Sequence, residues 1–261
     1  MVHLKRVTLV KEIHESYYPF NLPLVQNFKD FTFENKVTLF VGENGSGKST
    51  FLEAIAANSG IPLIGSAVTI DSDSSLEPAR ELGQKLKLTW KIRSKNGFFF
   101  RANDFINFSR KLAEVKIESK QAVKEIRERD RFSLEALPFA RTLYDLQELY
   151  GDGLEVRSHG ESFLDLFQAR FRPSGLYLLD EPEAPLSPLK QLSLISLILE
   201  MVKMDAQFII ATHSPMLMAI PGADIYTLDE GLFKKTPYEE VEHVRLTKDF
   251  IENPQRFIRH L

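Results

Sequence analysis

A glycine-rich segment around residue 45 has residue types and spacing that suit phosphate chemistry. Residues 42–49 read Gly-Glu-Asn-Gly-Ser-Gly-Lys-Ser and match the P-loop pattern. Its glycines let backbone N–H groups face a phosphate, while Lys48 is expected to reach the β- and γ-phosphates and Ser49 to ligate Mg²⁺. The pattern predicts binding of a nucleoside triphosphate with Mg²⁺. The residues assigned to this site are Gly42, Glu43, Asn44, Gly45, Ser46, Gly47, Lys48, Ser49 and Thr50.

Two adjacent carboxylates follow the apolar run Leu176–Leu179. Asp180 is expected to hold the Mg²⁺ shell and Glu181 to act as the base beside an attacking water. An acidic pair after a strand is a weak signal by itself, because acidic residues are common in such loops. Downstream of a P-loop, the same pair predicts hydrolysis of the nucleotide.

His213 follows a second apolar run, Phe208–Ala211. A single histidine is more often structural than functional. The carboxyl end of a strand, however, is the edge at which open α/β sheets bind ligands. We therefore expect a neutral His213 imidazole to contact the γ-phosphate.

The elements that must position these residues can be predicted from the pattern of apolar residues. Val37–Val41 reads as a strand and Ser49–Ala57 as a helix, on either side of the glycine-rich turn. Strands are also predicted at Lys5–Val10 and Phe31–Phe33, forming an N-terminal sheet edge together with Val37–Val41. A hairpin is predicted about Asn96-Gly97, between strands at Lys87–Ile92 and Phe98–Arg101.

Apolar spacing of helical period continues from Asn103 to Arg129, and a second helix is predicted from Ala136 to Tyr150. We interpret residues 103–150 as a helical lobe inserted in a single domain of residues 1–261. From Gly151 onward, helices (Ser162–Phe171, Leu189–Lys203) alternate with strands. The predicted fold class is α/β, with a mostly parallel sheet covered by helices on both faces.

Composition excludes several kinds of protein. The 261 residues are 43% hydrophobic and 26% charged with a net charge of -3, which is ordinary globular composition and confines any nucleic-acid surface to a local patch. The absence of cysteine excludes disulfides, thiolate metal sites and cysteine nucleophiles. Residues 1–20 lack the apolar core of a signal peptide, and residues 192–202 are too short to cross a bilayer. We expect a soluble cytoplasmic protein without membrane insertion.

The runs Gly42–Thr50, Leu178–Ser187 and Ala211–Pro215 together resemble the ABC-type P-loop ATPases. Within that group the chain is similar to small soluble ATPases of the AAA-ATPase-like group related to SMC and DNA-repair ATPases. The resemblance implies an ABC-like P-loop NTPase fold, ATP and Mg²⁺ as the bound species, and a homodimer that forms when ATP binds. It also implies hydrolysis at two composite sites.

The family's signature loop falls on residues 157–161, where the resemblance implies that Ser158 and Gly160 bind the γ-phosphate of ATP held by the other subunit. His159 stands where a glycine is usual and Glu161 where a glutamine is usual. Ser158 with Glu161 also fits a helix capping box, a role compatible with the signature.

Three further family features have less definite counterparts. The glutamine that usually leads into the helical lobe has no clear equivalent, and its position falls on residues 101–104. In the loop after the acidic pair, Ser187 stands where an aspartate is usual. Tyr17, Tyr18 and Phe20 are candidates for stacking on adenine, although aromatic residues there are more often core residues.

The resemblance leaves the client open, whether nucleic acid or protein. We expect a dimeric motor or switch; the alternatives are a slow nucleotide switch that clamps a partner complex and, ranked lower, the nucleotide-binding subunit of a transporter. A stripe of basic residues fits a phosphate track, but the glutamates beside it favour a solvated helix face. The stripe comprises Lys116, Lys120, Lys124, Arg127 and Arg131.

Overall fold

The computed structural model of the chain describes residues 2–64, 73–150 and 159–259. In chain order its strands are β1 (Leu4–Leu9), β2 (Asp30–Thr32), β3 (Val37–Val41), β4 (Leu63–Ile64), β5 (Leu86–Trp90), β6 (Gly97–Arg101), β7 (Leu176–Asp180), β8 (Gln207–Ala211), β9 (Asp224–Asp229) and β10 (Leu232–Lys235). Its helices are α1 (Pro23–Asn27), α2 (Lys48–Ser59), α3 (Glu77–Gly83), α4 (Ala102–Arg129), α5 (Leu137–Tyr150), α6 (His159–Arg170), α7 (Pro188–Lys203), α8 (Pro215–Met218), α9 (Glu242–Glu252) and α10 (Pro254–Ile258).

The central sheet has the strand order β10-β9-β3-β8-β7-β6-β4. All neighbouring pairs are parallel except β10 with β9, which is antiparallel. Every residue of β3, β7 and β8 is buried, as expected for strands of a parallel sheet that is covered on both faces. The α/β fold class with a mostly parallel sheet is therefore confirmed.

Hydrophobic residues pack on both faces of the central sheet. Strand β3 alternates between the two sides: Val37 and Leu39 join the cluster that contains α6 and α7, while Phe40 joins the cluster that contains α2 and β1. Because side chains alternate along a strand, one apolar run serves both layers. Helix α2 and the P-loop that precedes it are thus held against a fully packed sheet.

The predicted hairpin about Asn96-Gly97 is wrong. Strand β5 pairs antiparallel with β1 in a separate small sheet of order β2-β1-β5, whereas β6 lies between β4 and β7 in the central sheet. Strand β6 is buried on both faces, because the consecutive residues Phe98, Phe99 and Phe100 are all buried. The central sheet covers both faces of β6, whereas pairing with β5 in the small sheet would not. Strand β3 likewise belongs to the central sheet and not to an N-terminal sheet edge with β1 and β2.

Helices α4 and α5 pack against each other after β6. Helix α4 begins directly where β6 ends, at Ala102, and runs for 28 residues. Helix α6 begins at His159, three positions before the predicted start at Ser162. Among the residues that the structure describes, none of the helices combines the length and apolar character needed to cross a bilayer.

Candidate active site

Three motifs that are far apart in sequence meet at one edge of the central sheet. Strand β8 lies between β3 and β7, with Ala211 in register with Phe40 on one side and with Asp180 on the other. Because the three strands are parallel, their carboxyl ends lie at the same edge. The P-loop, the acidic pair and His213 follow these three strand ends.

The P-loop turns through left-handed backbone conformations. Gly45 has φ +80° and Gly47 has φ +98°, values that glycine adopts without steric cost. A side chain at Gly47 would also lie 3.1 Å from Leu24 Cδ2. Helix α2 starts at the next residue, and the N–H groups of its first turn have no intrahelical partner, which together with the helix dipole suits an anion.

The Lys48 ammonium lies inside the P-loop. Its Nζ donates to the carbonyl oxygens of Gly42 at 2.8 Å and Glu43 at 3.0 Å. Burial lowers the pKa of Lys48, while the nearby carboxylates of Glu181 and Asp180 oppose that shift. A buried cation at the start of a helix can neutralise phosphate charge in a region with little competing water.

Ser49 and Asp180 are in direct contact although they lie 131 residues apart in the chain. The Ser49 hydroxyl donates to Asp180 Oδ1 at 2.9 Å. Burial raises the pKa of Asp180 to about 7, with the charges of Glu53 and Glu181 adding to the effect and the Ser49 hydrogen bond opposing it. A buried carboxylate beside a hydroxyl, with too little positive charge nearby, fits the oxygen ligands that Mg²⁺ takes together with phosphate.

Glu181 adopts a strained backbone conformation. Its φ is +49°, in the left-handed region that non-glycine residues rarely occupy, and its N–H donates to the carbonyl of Ala211 at 2.9 Å. Such strain costs on the order of 1–3 kcal/mol and persists where the surrounding structure enforces it, commonly at functional sites. The side chain is 40% exposed, so water can reach it.

His213 lies beside Glu181, with His213 Nε2 3.6 Å from Glu181 Oε1. That distance is too long for a hydrogen bond. The Nε2 atom is buried and has no hydrogen-bond partner among the described residues, which leaves it available to a ligand. Burial, and then the charge of Lys48, lowers the pKa of His213, so the neutral imidazole predominates near neutral pH.

Glu183 also belongs to this site, although the sequence analysis did not single it out. Its Oε1 accepts hydrogen bonds from Thr212 Oγ1 at 2.7 Å, from the His213 N–H at 2.7 Å and from the Ser214 N–H at 3.1 Å. One carboxylate thus fixes the backbone that presents His213. The only sequence feature that points to Glu183 is that it is a second acid shortly after Glu181, in Glu-Pro-Glu. Its hydrogen-bond partners lie about 30 residues further along the chain, so the sequence does not indicate them.

Arg101 is the first of residues 101–104, the range expected to hold the glutamine that leads into the helical lobe, and it is surrounded by carboxylates. It ends β6 in register with Asp180 and pairs with Glu53 at 3.1 Å, Asp73 at 2.7 Å and Asp104 at 2.6 Å. Arg101, Glu53 and Asp104 line a cavity of about 230 Å³ that also includes Ser49 and Glu181. Burial raises the pKa of Glu53 and of Asp104, so the Arg101 charge is needed to keep this cluster ionised.

Arg101→Met should lower the free energy of unfolding by about 3 kcal/mol or more, because it leaves buried carboxylates without their cation. Urea unfolding of the purified chain measures the loss. Arg93→Met, at an exposed arginine, is the matched control and should change stability by less than about 0.5 kcal/mol. Equal stability of the two variants would contradict the role assigned to Arg101.

The remaining predicted positions are distributed as follows. Ser158 lies outside the described residues, and Gly160 lies in the first turn of α6. Phe20 is buried in the core and cannot stack on adenine, so that candidate is wrong. Tyr17 and Tyr18 are about half exposed, and the Tyr18 hydroxyl shares a hydrogen bond of 2.9 Å with Thr50 Oγ1.

Comparisons with known proteins agree with this geometry. The profile of a family described as "AAA domain" matches residues 17–60, and that of a family described as "AAA domain, putative AbiEii toxin, Type IV TA system" matches residues 163–219. The two matches cover the P-loop and the segment with the acidic pair and His213. An uncharacterized ABC transporter ATP-binding protein of Haemophilus influenzae is 26% identical over 241 residues, covering 91% of this chain and 88% of that protein. These matches, together with the motifs, support an ABC-type P-loop ATPase.

Solved structures of ABC transporter ATP-binding proteins are also similar to this chain. MJ1267, an ATP-binding cassette of an ABC transporter, has a TM-score of 0.48 at 16% identity. The match covers 97% of this chain and 98% of the MJ1267 chain. The structure of cbiO1 from Clostridium perfringens, part of the ABC transporter complex cbiONQ, has a TM-score of 0.46 at 16% identity and covers 98% of each chain.

Proposed function

We propose that this ATPase binds Mg·ATP and hydrolyses it at composite sites of an ATP-dependent homodimer. The observation that carries the proposal is the meeting of Lys48, the Ser49–Asp180 pair, Glu181 and His213 at one sheet edge. A phosphate-binding loop alone would support binding. A base next to the metal ligand, with a histidine beside it, supports turnover.

Each side chain has a defined task in the proposed reaction. Lys48 neutralises charge on the β- and γ-phosphates, Glu181 accepts a proton from the attacking water, and His213 donates from Nε2 to the γ-phosphate. Ser49 and Asp180 would hold Mg²⁺, which when bound neutralises phosphate charge. The hydrogen bond from the Glu181 N–H to Ala211 and the hydrogen bonds of Glu183 keep the base and the histidine in place before ATP arrives.

The second half of each site would come from the partner subunit. Ser158 and Gly160 precede and open α6, whose N-terminal dipole suits the γ-phosphate of ATP held by the other copy. We propose that residues 103–150 form the inserted lobe that transmits this closure to a client.

The identity of the client separates two candidate roles. On sequence alone a free-standing motor or switch ranks above a transporter subunit, because the signature departs from the usual residues and the coupling glutamine is missing. The relative from Haemophilus influenzae reverses this order, since it is called an ABC transporter ATP-binding protein. Co-fractionation of the ATPase with membranes from cells would support the transporter role.

Nucleic acid is the less favoured client. Within the basic stripe, Lys124 pairs with Glu128 at 3.9 Å along the same helix. Gln121 and Glu125, beside the stripe, also pair with each other, at 3.0 Å. These contacts are typical of a solvated helix face.

We also propose that the ATPase acts in the cytoplasm, without inserting into the membrane itself.

Phosphate release from ATP tests the proposed function. The wild type should turn over ATP with Mg²⁺ and lose turnover when EDTA removes the metal, because Mg²⁺ is proposed to bind Asp180 and Ser49. Lys48→Ala should lose most nucleotide binding, measured with a fluorescent ATP analogue, whereas the exposed control Lys91→Ala should bind normally. Unchanged turnover in EDTA would contradict the Mg²⁺ assignment, and normal binding by Lys48→Ala would contradict the site.

A further inference from the structure

The ring of His213 touches a second histidine from the C-terminal part of the chain. His213 Nδ1 lies 3.3 Å from His243 Nε2, and the ring centroids are 5.4 Å apart at an angle of 54°. We propose that His243 is a positioning residue that donates a hydrogen bond to His213 and thereby keeps the His213 proton on Nε2. This proposal rests on the proposed function for the phosphate acceptor near Nε2 and for the use made of that proton.

The direction of the hydrogen bond follows from the inventory of a neutral imidazole, which has one N–H donor and one acceptor nitrogen. If His213 donated from Nδ1, its Nε2 would be an acceptor only. That Nε2 faces Glu181 Oε1 at 3.6 Å, and phosphate oxygens are also acceptors, so an acceptor at Nε2 would find no donor there. With His243 donating to Nδ1, the proton sits on Nε2, on the side of the ring that faces acceptors.

Backbone and ring of His213 are thus fixed by different residues. Glu183 holds the backbone N–H at 2.7 Å, which leaves rotation of the side chain unconstrained. The contact with His243 supplies that constraint at the far side of the ring. A metal-bound histidine is oriented in the same way by the partner of its other nitrogen, which sets both tautomer and ring angle.

The element that carries His243 is itself well anchored. His243 lies in the first turn of α9, between the buried residues Val241 and Val244. The N–H groups of Val244 and Arg245 both donate to the Val241 carbonyl, at 3.1 and 3.0 Å. The imidazole therefore projects from a rigid turn, and α9 becomes a structural part of the active site.

Nitrogen NMR of isotope-labelled histidine tests the tautomer without relying on hydrolysis. Signals of His213, assigned by their loss in His213→Gln, should show protonated Nε2 in the wild type and a mixture of tautomers in His243→Leu. A proton found on Nδ1 of His213 in the wild type would overturn the proposal. Because this readout needs no turnover, it separates a failure of the proposal from a failure of the proposed ATPase reaction.

Kinetics test the consequence for catalysis. His243→Leu should lower kcat about tenfold, the worth of roughly one hydrogen bond, and change the KM for ATP less than about twofold. His243→Gln keeps a donor at nearly the same reach and should recover most of the rate. The exposed control Thr247→Ala on the same helix should behave as wild type.

A double-mutant cycle distinguishes positioning from a general packing effect. In the His213→Gln background, His243→Leu should cost no further activity, because its only route to the reaction is through His213. Equal loss of kcat in the Leu and Gln variants of His243, or the same loss in the presence and absence of His213, would overturn the positioning role.

Discussion

Glu181→Gln is expected to lower the ATP turnover of this enzyme by about 100-fold or more while leaving ATP binding intact. Glutamine has nearly the same shape as glutamate but cannot take the proton of the attacking water, so the variant loses general-base assistance. Phosphate release gives kcat, and a fluorescent ATP analogue gives the dissociation constant. The assignment of the base is wrong if this variant hydrolyses ATP at the parental rate.

Two comparisons sharpen this test. Glu200→Gln, an exposed glutamate on α7, should leave both turnover and binding unchanged. Lys48→Ala should instead lose ATP binding. The Lys48 ammonium that it removes lies in the P-loop, where it is proposed to bind phosphate and not to activate the attacking water. The opposite pattern, with binding lost in Glu181→Gln and kept in Lys48→Ala, would mean that the two roles have been exchanged.

Strand interiors and single motifs were predictable because their signals are local. Strand β3 was predicted with its observed bounds, and the runs before Asp180 and His213 were located to within one residue, since a strand buried on both faces is uniformly apolar. The P-loop pattern likewise fixes its own geometry through glycines at set positions. These features need no knowledge of the rest of the chain.

Pairing between elements was not predictable in the same way. Asn96-Gly97 is a good turn dipeptide, yet β5 and β6 enter different sheets because their partners, β1 and β7, lie elsewhere in the chain. The contacts of Glu183 and His243 with His213 were not predictable for the same reason, because each partner lies about 30 residues from His213 in the chain. A single glutamate or histidine carries no sequence signal for a partner at that separation.

Arg101 lies in the range 101–104, where the sequence offers no clear equivalent of the family's glutamine. Its charge is balanced by Glu53, Asp73 and Asp104. The cluster borders Ser49 and lies at the start of α4, so ion pairs connect the proposed metal ligands with the proposed helical lobe. Loss of stability in Arg101→Met and loss of turnover in Glu181→Gln would therefore report on neighbouring but separate parts of the site.

Mixing two inactive variants should restore ATPase activity if each site is built from two subunits. Ser158→Arg blocks the signature and keeps the P-loop, whereas Lys48→Ala blocks the P-loop and keeps the signature. A heterodimer of the two has one intact composite site and one site that is blocked twice. With random assortment of a two-fold dimer, about a quarter of the wild-type rate is expected, against nearly none for either variant alone.

A mixture of Ser158→Arg with the double variant that carries both substitutions is the matched control, because none of its dimers contains an intact site. Differently tagged subunits, pulled down together in the presence of ATP, verify that heterodimers form. His159 is the point of greatest risk, since its side chain stands where a glycine usually lets the loop approach the nucleotide. If heterodimers form and activity does not return, the proposal of a composite site fails. In that case each subunit works alone, or residues 157–161 only cap α6. The roles of Lys48 and Glu181 within one subunit would still stand.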